Sequence, residues 1–201
     1  MEPEQKKSSW KKKLGRAALV VTGLAGGFVA LTAARADRTF DAPSVDIHAS
    51  TDPAVIERGR YLVRGPAHCA DCHASPEDRA AADRGEDVPL AGGFPFQLPL
   101  GNFYVANITP DPETGIGRYK DEEIARILRY GVRPDGHAVL PFMPFANLSD
   151  ADLTAIISYL RSQPPVSHRV PAHEPNAAGQ LVKAWVLTPA GPSEPIAADV
   201  K

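Results

Sequence analysis

The chain has 201 residues, of which 43% are apolar and 23% charged, a length that fits one globular domain with extensions rather than a multidomain enzyme. Its two cysteines lie in one cluster, which excludes a scaffold of several disulfides. The formal net charge of −2 divides unevenly, because residues 1–16 carry a net +4 and the remainder −6. An acidic main domain argues against nucleic acid as a partner and favours partners with a basic docking face.

Eighteen uncharged residues separate Arg16 from Arg35, a run that as a helix would span roughly 27 Å, close to the hydrocarbon thickness of a bilayer. Six basic residues precede the run whereas Arg35 and Arg38 follow it, so the positive-inside rule places the rest of the chain outside the cytoplasm. Residues 1–36 are therefore predicted to be a single-pass anchor of the cytoplasmic membrane, with the domain on the periplasmic side. The alternative is a signal peptide cut at the A-x-A pattern of residues 34–36, which would leave a soluble periplasmic protein.

Residues 37–51 show no sustained hydrophobic period and are predicted to be a linker. Asp52, followed by a proline, is predicted to cap a first helix that Gly65 ends. The main domain is expected to cover residues 52–166. A tail of residues 167–201 follows it, and there the stretch QLVKAWVL is compatible with a short helix or an interfacial contact.

The first chemical motif is C-x-x-C-H, formed by Cys69, Cys72 and His73. Two thiols three residues apart on a helical turn can each add to one vinyl group of a haem, and the adjacent imidazole then lies under the iron as an axial ligand. Two alternatives remain: a thioredoxin-like dithiol, which expects a βαβ environment and leaves the histidine without a role, and a zinc site, which needs about four ligands. The motif predicts one covalently bound haem c.

The long stretch of residues 74–118 is dense in glycine and proline, with neither a helical period nor a convincing strand. So much irregular backbone needs something to pack against, because its amides and carbonyls require partners. The stretch is therefore predicted to be a loop that wraps the haem.

Two further helices follow in the sequence. Residues 121–130 place apolar side chains on one face and precede Gly131, a good helix stop. The last helix is predicted to start at Ser149, which with Asp152 makes a capping box, and to end before Pro164.

Met143 is the candidate for the second axial ligand, because it is the only methionine apart from the initiator. It lies in the segment LPFMPFANLSD, where Pro141 and Pro144 restrict the backbone on both sides and would hold a thioether in place. The alternatives are that Met143 fills a gap in the core, or that His137, in a Pro-Asp-Gly turn, is the ligand instead.

Residues 52–166 resemble a class I c-type cytochrome domain. More narrowly, three segments resemble the cytochrome subunits of bacterial membrane-associated alcohol dehydrogenases: GRYLVRGPAHCADCHA, LAGGFPFQLPLGNFYVANITPDPETGIGRY and LPFMPFANLSDADLTAIISYLRSQPPV. Those subunits carry three such haem domains, whereas this chain has one C-x-x-C-H motif.

The resemblance implies an all-α, class I cytochrome c fold in which a long loop wraps the haem, joined to an N-terminal transmembrane or signal helix. It implies haem thioethers and iron ligands at four positions: Cys69, Cys72, His73 and Met143. It also implies that the first helix crosses the last through Gly59 near Tyr159. A proline carbonyl commonly orients the proximal imidazole in such domains, and Pro89 is the candidate here.

Iron held by histidine on one face and methionine on the other has no position for a substrate, which predicts a one-electron carrier rather than an enzyme. Expected partners are a redox donor and an acceptor, such as a dehydrogenase, a quinol-oxidising complex or a terminal oxidase, with the membrane bound through the N-terminal helix. One alternative is a dedicated subunit of a periplasmic dehydrogenase complex. If Met143 is not a ligand, an open-site haem sensor or enzyme is the other. The polar segment of residues 107–111 fits either contacts to haem propionates or ordinary turn chemistry.

Overall fold

The computed structural model describes residues 3–143 and 145–192, with side chains described from residue 10 onward. Helices form most of the core of the described chain, and the predicted all-α class is confirmed, with one small sheet added. The helices are α1 (Pro3–Ala36), α2 (Pro53–Arg64), α3 (Cys69–His73), α4 (Arg79–Asp83), α5 (Asp121–Tyr130), α6 (Asp150–Ser162) and α7 (Ala177–Trp185). The strands are β1 (Pro95–Leu98), β2 (Gly101–Tyr104) and β3 (Glu174–Pro175), and a 3₁₀ turn spans Ile116–Arg118.

Helix α1 contains the predicted apolar run and extends beyond it. Within the described chain, Trp10–Ala36 is the one stretch long and apolar enough to cross a membrane, and its most apolar 18-residue window has a mean hydropathy of 1.9. Its large apolar side chains are exposed along most of its length, and the helix becomes buried only near its end, at Thr32 and Ala36. These dimensions and this exposure fit a membrane span or a signal segment, as the sequence predicted.

The core of the domain is built on the crossing of α2 and α6. At the crossing point the two backbones approach so closely that a Cβ added to Gly59 would lie 1.9 Å from the carbonyl oxygen of Ala155 and 2.7 Å from Cβ of Tyr159. The predicted contact between Gly59 and Tyr159 is therefore confirmed. Around it, Val63 and Ile157 are fully buried.

The predicted helix ends are largely observed. The carboxylate of Asp52 caps α2, and Gly131 ends α5 with a left-handed φ of 68°. At the start of α6, the Ser149 hydroxyl accepts from the amide of Asp152 at 3.1 Å. The predicted return bond of a capping box is replaced by an ion pair, because the Asp152 carboxylate accepts from Nε of Arg58 at 3.0 Å. This pair ties α6 to α2 beside their crossing.

The stretch of residues 74–118 has more regular structure than predicted. It contains α4, the 3₁₀ turn and an antiparallel hairpin in which β1 pairs with β2, in a register of Pro95 with Tyr104 and Leu98 with Gly101. The expectation of no strand was wrong because the strands have four residues each, too short for an alternating pattern to emerge from the sequence. The tail completes this sheet through β3, where Pro175 pairs with Gly101.

Residues 37–51, predicted to be a linker, have no helix or strand but pack against the domain. Val45 and Ile47 are 6% and 3% exposed and belong to the core cluster. The Ala49 amide donates to the carboxylate of Asp121 at 2.7 Å. These contacts fasten the end of α1 to the domain, so the segment does not act as a free tether.

The tail forms α7, which includes most of the QLVKAWVL stretch. Its amide end is capped by Asn176, whose side chain accepts from the amide of Gly179 at 3.0 Å. Helix α7 packs against the last turns of α1, where the indole Nε1 of Trp185 donates to the Thr32 hydroxyl at 3.2 Å. The C-terminal tail and the N-terminal helix therefore meet on one side of the domain.

Candidate functional site

Helix α3 is a single turn that carries the whole C-x-x-C-H motif. The chain leaves α2 at Gly65 and reverses through His68, which has a left-handed φ of 52°. Two backbone bonds fix this reversal, from the Ala67 amide to the Leu62 carbonyl and from the His68 amide to the Gly65 carbonyl, both 2.9 Å. The motif is thus held rigidly against the end of α2, with the two cysteines half-buried and His73 buried.

The geometry of His73 fixes its chemistry. The ring is 8% exposed, and its Nδ1 lies 2.8 Å from the carbonyl oxygen of Ala106. A carbonyl only accepts, so the proton resides on Nδ1 and the lone pair on Nε2. Burial lowers the pKa of His73, which keeps the imidazole neutral at pH 7. The result is a neutral imidazole in one tautomer and one orientation, as an iron ligand requires.

The sequence-based candidate for this carbonyl, Pro89, was wrong. The carbonyl belongs to Ala106, 33 residues after His73, and the double glycine of LAGGF brings it there. Gly92 donates its amide to the His73 carbonyl at 2.7 Å and has a φ of +71°. A Cβ at Gly92 would lie 2.4 Å from the Ala106 oxygen, so only glycine lets the two segments approach. The Gly-Gly pair was the sequence feature that could have indicated this close approach.

The two cysteines are free thiols in this structure. Burial raises the pKa of Cys69 to about 12. Because the thiolate is the attacking species in disulfide exchange, such a pKa disfavours the dithiol alternative. The zinc alternative also lacks support: the described residues contain no cluster of three or more suitable side chains, and His68 turns to the Asp71 carboxylate at 3.0 Å.

Met143 lies in the irregular segment between α5 and α6 and is half-buried. The end of this segment is held from α5 by Arg129, which is 2% exposed and donates to the Asp150 carboxylate at 2.6 Å and to the Leu148 carbonyl at 2.9 Å. Pro144, predicted to stiffen the loop, lies outside the described residues. Ligation of iron by Met143 stays a prediction.

The competing ligand His137 is occupied elsewhere. Its Nε2 lies 3.2 Å from the Asp37 carboxylate and its Nδ1 lies 3.2 Å from the Asp135 carboxylate. Because both ring nitrogens face carboxylates where α1 joins the domain, His137 is a poor candidate for an axial ligand.

The polar segment of residues 107–111 is engaged in turn chemistry. Asn107 is 3% exposed, donates to the Val166 carbonyl at 2.8 Å and accepts from the Thr109 amide at 2.9 Å. The Asp111 carboxylate accepts from the amide and the hydroxyl of Thr114, both at 2.7 Å. Of the two interpretations of this segment, contacts to haem propionates or ordinary turn chemistry, the structure therefore shows turn chemistry. Its rigidity holds Ala106, immediately before it, in place behind His73.

The residues of α3 fit a covalently attached haem. Two reduced cysteines stand three residues apart on a turn, and the following histidine is neutral, buried and oriented with Nε2 available. Together with the helical core, this site defines a c-type cytochrome. When bound, haem supplies one-electron iron chemistry, and the residues of this chain would attach it, ligate its iron and limit its access to water.

Comparison with known proteins agrees with this class. The cytochrome c family model matches residues 56–164, more than half of the chain, and the chain belongs to the cytochrome c family. It is 40% identical over 128 residues to a subunit of the nicotinate dehydrogenase of Pseudomonas putida, covering 62% of this chain and 10% of that protein. It is 38% identical over 140 residues to the cytochrome c subunit of the quinone alcohol dehydrogenase of Gluconobacter oxydans, covering 68% of this chain and 27% of that subunit.

A third relative, a dihaem c-type cytochrome of Cereibacter sphaeroides, is 30% identical over 131 residues, which cover 62% of this chain and 43% of the relative. The chain thus matches less than half the length of each of these relatives. Family membership confirms the predicted cytochrome c domain with its covalently bound haem c, and it supports a role in electron transfer.

Proposed function

We propose that this chain is a membrane-anchored carrier of single electrons, with one haem c bound at Cys69 and Cys72 and its iron ligated by His73 and Met143. The observation that carries the proposal is the buried, neutral His73, whose Nδ1–H is directed to the Ala106 carbonyl. This hydrogen bond fixes the ring and raises its basicity toward the metal. The single C-x-x-C-H motif supports a single haem.

Two observations support Met143 as the second ligand. His137, its rival, is flanked by two carboxylates. The loop that carries Met143 is braced by the buried Arg129, which lowers the entropy lost when the thioether is fixed. A soft thioether favours ferrous iron, so we expect a comparatively high reduction potential.

The structure and contacts of the last turns of α1 support its retention as an anchor. The A-x-A pattern of residues 34–36 lies within a continuous helix, and Ala36 is 7% exposed. Cleavage there would remove Thr32 and Phe28, which contact Trp185 of α7. The six basic residues before the span favour a domain on the periplasmic side.

Anchoring would confine the carrier to two dimensions and so raise its effective concentration toward membrane partners. The net charge of −6 after residue 16 favours basic docking faces and predicts association that weakens with salt. Candidate partners are a dehydrogenase, a quinol-oxidising complex or a terminal oxidase. The second candidate function is a dedicated subunit of a dehydrogenase complex, favoured by the similarity to the Gluconobacter oxydans cytochrome c subunit.

The test is the ferric absorption spectrum of the purified full chain. Bonding of a thioether to ferric iron gives a weak far-red band, which we expect in the parent and not in Met143→Ala. The matched control is Phe142→Ala, which removes an exposed neighbour on the same loop and should keep the band. A parent without the band, or a reduced parent that binds carbon monoxide readily, would contradict the ligation and favour the open-site haem alternative.

A further inference from the structure

Helix α7 presents an uncovered apolar stripe. Ala178, Leu181 and Trp185 follow the i, i+3, i+7 spacing of one helical face, and Val186 comes directly after the helix. Leu181, Trp185 and Val186 remain 42%, 41% and 66% exposed, although α7 is packed on its other side, where Gly179 and Ala184 are buried. An exposed apolar stripe of this kind, beside the sheet of the domain, indicates an interaction surface.

The contacts between α7 and α1 indicate what covers this stripe. The Trp185 ring stacks on Phe28 of α1, with centroids 6.0 Å apart and planes 6° from parallel. Its Nε1 donates to Thr32, and the guanidinium of Arg35 lies 4.4 Å from the ring centroid. Trp185 therefore occupies the level of residues 28–35, at the exit end of the apolar span.

The position of Trp185 along α1 gives its depth in the bilayer. With Arg16 at the cytoplasmic boundary and a rise of about 1.5 Å per residue, Thr32 lies about 24 Å and Arg35 about 28 Å along the span. A hydrocarbon layer about 30 Å thick then places Thr32, with the indole bonded to it, about 6 Å below the far boundary. Interfacial amphipathic helices bury their apolar face to a depth of about 5–10 Å, and tryptophan is enriched at this level.

The charged groups around α7 agree with this depth. Arg35 stands over the indole, Arg38 donates to the Leu187 carbonyl, and Lys183 lies on the side of α7 away from the stripe. Three cations thus lie beside the helix near the outer boundary of the hydrocarbon layer, an arrangement typical of helices that lie in an interface.

We propose that α7 and Val186 form an interfacial helix that inserts Leu181, Trp185 and Val186 into the outer surface of the bilayer beside α1. The inference rests on the proposed retention of α1 as a membrane anchor. Two contacts with lipid, a span and a helix lying in the surface, fix the tilt and rotation of the domain, so that α7 sets which face of the domain turns toward partners in the membrane.

The test uses a single cysteine at Leu181, at Val186 or, as the matched control, at Gln180, an exposed polar position about 100° round the same helix from Leu181. Both native cysteines are thioether-linked in the haem protein, so the introduced thiol alone accepts a nitroxide label. The full chain is placed in nanodiscs of phosphatidylcholine and phosphatidylglycerol. Collision rates of the label are then measured with oxygen, which concentrates in lipid, and with a water-soluble nickel chelate. An unchanged haem spectrum verifies that each variant is folded.

We expect the ratio of oxygen to nickel collisions at Leu181 and Val186 to exceed that at Gln180 at least about threefold, as burial several ångströms below the headgroups requires. A label at Leu24 of α1, 70% exposed in the structure, reports the anchor separately. Lipid access at Leu24 with water access at Leu181 and Val186 would overturn the inference, leave the anchor standing and assign the stripe to a protein partner. Water access at Leu24 would overturn the anchor and this inference together. Equal lipid access at Gln180 and Leu181 would overturn the surface orientation of α7.

Discussion

Replacement of Gly59 by alanine probes the crossing of α2 and α6. The new Cβ would lie 1.9 Å from the Ala155 carbonyl oxygen, where ordinary contact begins at 3.4 Å, so the helices must separate by about 1.5 Å. The obstructing atoms are backbone and the base of the Tyr159 side chain, which cannot rotate away. Overpacking of this kind costs about 3 kcal/mol, and the higher helix propensity of alanine returns about 1, which leaves a net loss of about 2 kcal/mol.

The measurement is guanidinium unfolding of the detergent-solubilised chain, followed by haem absorption. With a denaturant dependence of about 3 kcal/mol per molar, the midpoint of Gly59→Ala should fall by about 0.7 M. The matched control is Gly26→Ala in α1, where the added Cβ meets no atom within 4 Å and the midpoint should not fall. A Gly59→Ala midpoint equal to that of the parent would refute the close approach of the two helices.

Two further predictions concern the surroundings of the haem site, and a third concerns the turn that carries Asp135. Arg129→Met removes the buried guanidinium that donates to the Asp150 carboxylate and the Leu148 carbonyl. It should lower the free energy of unfolding by about 2 kcal/mol and weaken the far-red band, as denaturation and spectroscopy would show. Gly92→Ala should displace the carbonyl of Ala106 and shift the reduction potential in a redox titration, and an unchanged potential would contradict the positioning role. Burial by itself would raise the pKa of Asp135, but hydrogen bonds from the Arg133 guanidinium and the His137 amide hold the folded-state pKa well below its usual range. A lowered pKa gives stability that is present above about pH 4 and is lost as the pH falls through the folded-state value. In Asp135→Asn, the free energy of unfolding should therefore fall less steeply at acid pH than in the parent, by a difference of less than about 1 kcal/mol. Identical pH profiles of the parent and the variant would contradict this.

The proposed haem attachment site could be predicted from the sequence because its chemistry is local. Cys69, Cys72 and His73 lie within five residues, and one helical turn is enough to place two thiols and an imidazole together. The group that orients the imidazole could not be read in the same way. The Ala106 carbonyl is a backbone atom with no residue-type signature, and it reaches His73 only because the chain folds back through Gly92.

The sequence by itself determined the elements whose signals lie within a few residues: the apolar span of α1, the capped helices α2, α5 and α6, and the haem motif. Only the tertiary structure decided where the weakly patterned segments go. Val45 and Ile47 are buried in the core, and Trp185 reaches the end of α1, more than 150 residues away in the chain. The physical reason is that periodicity and capping arise from local backbone geometry. Burial, in contrast, depends on which distant surfaces meet once the helices have packed.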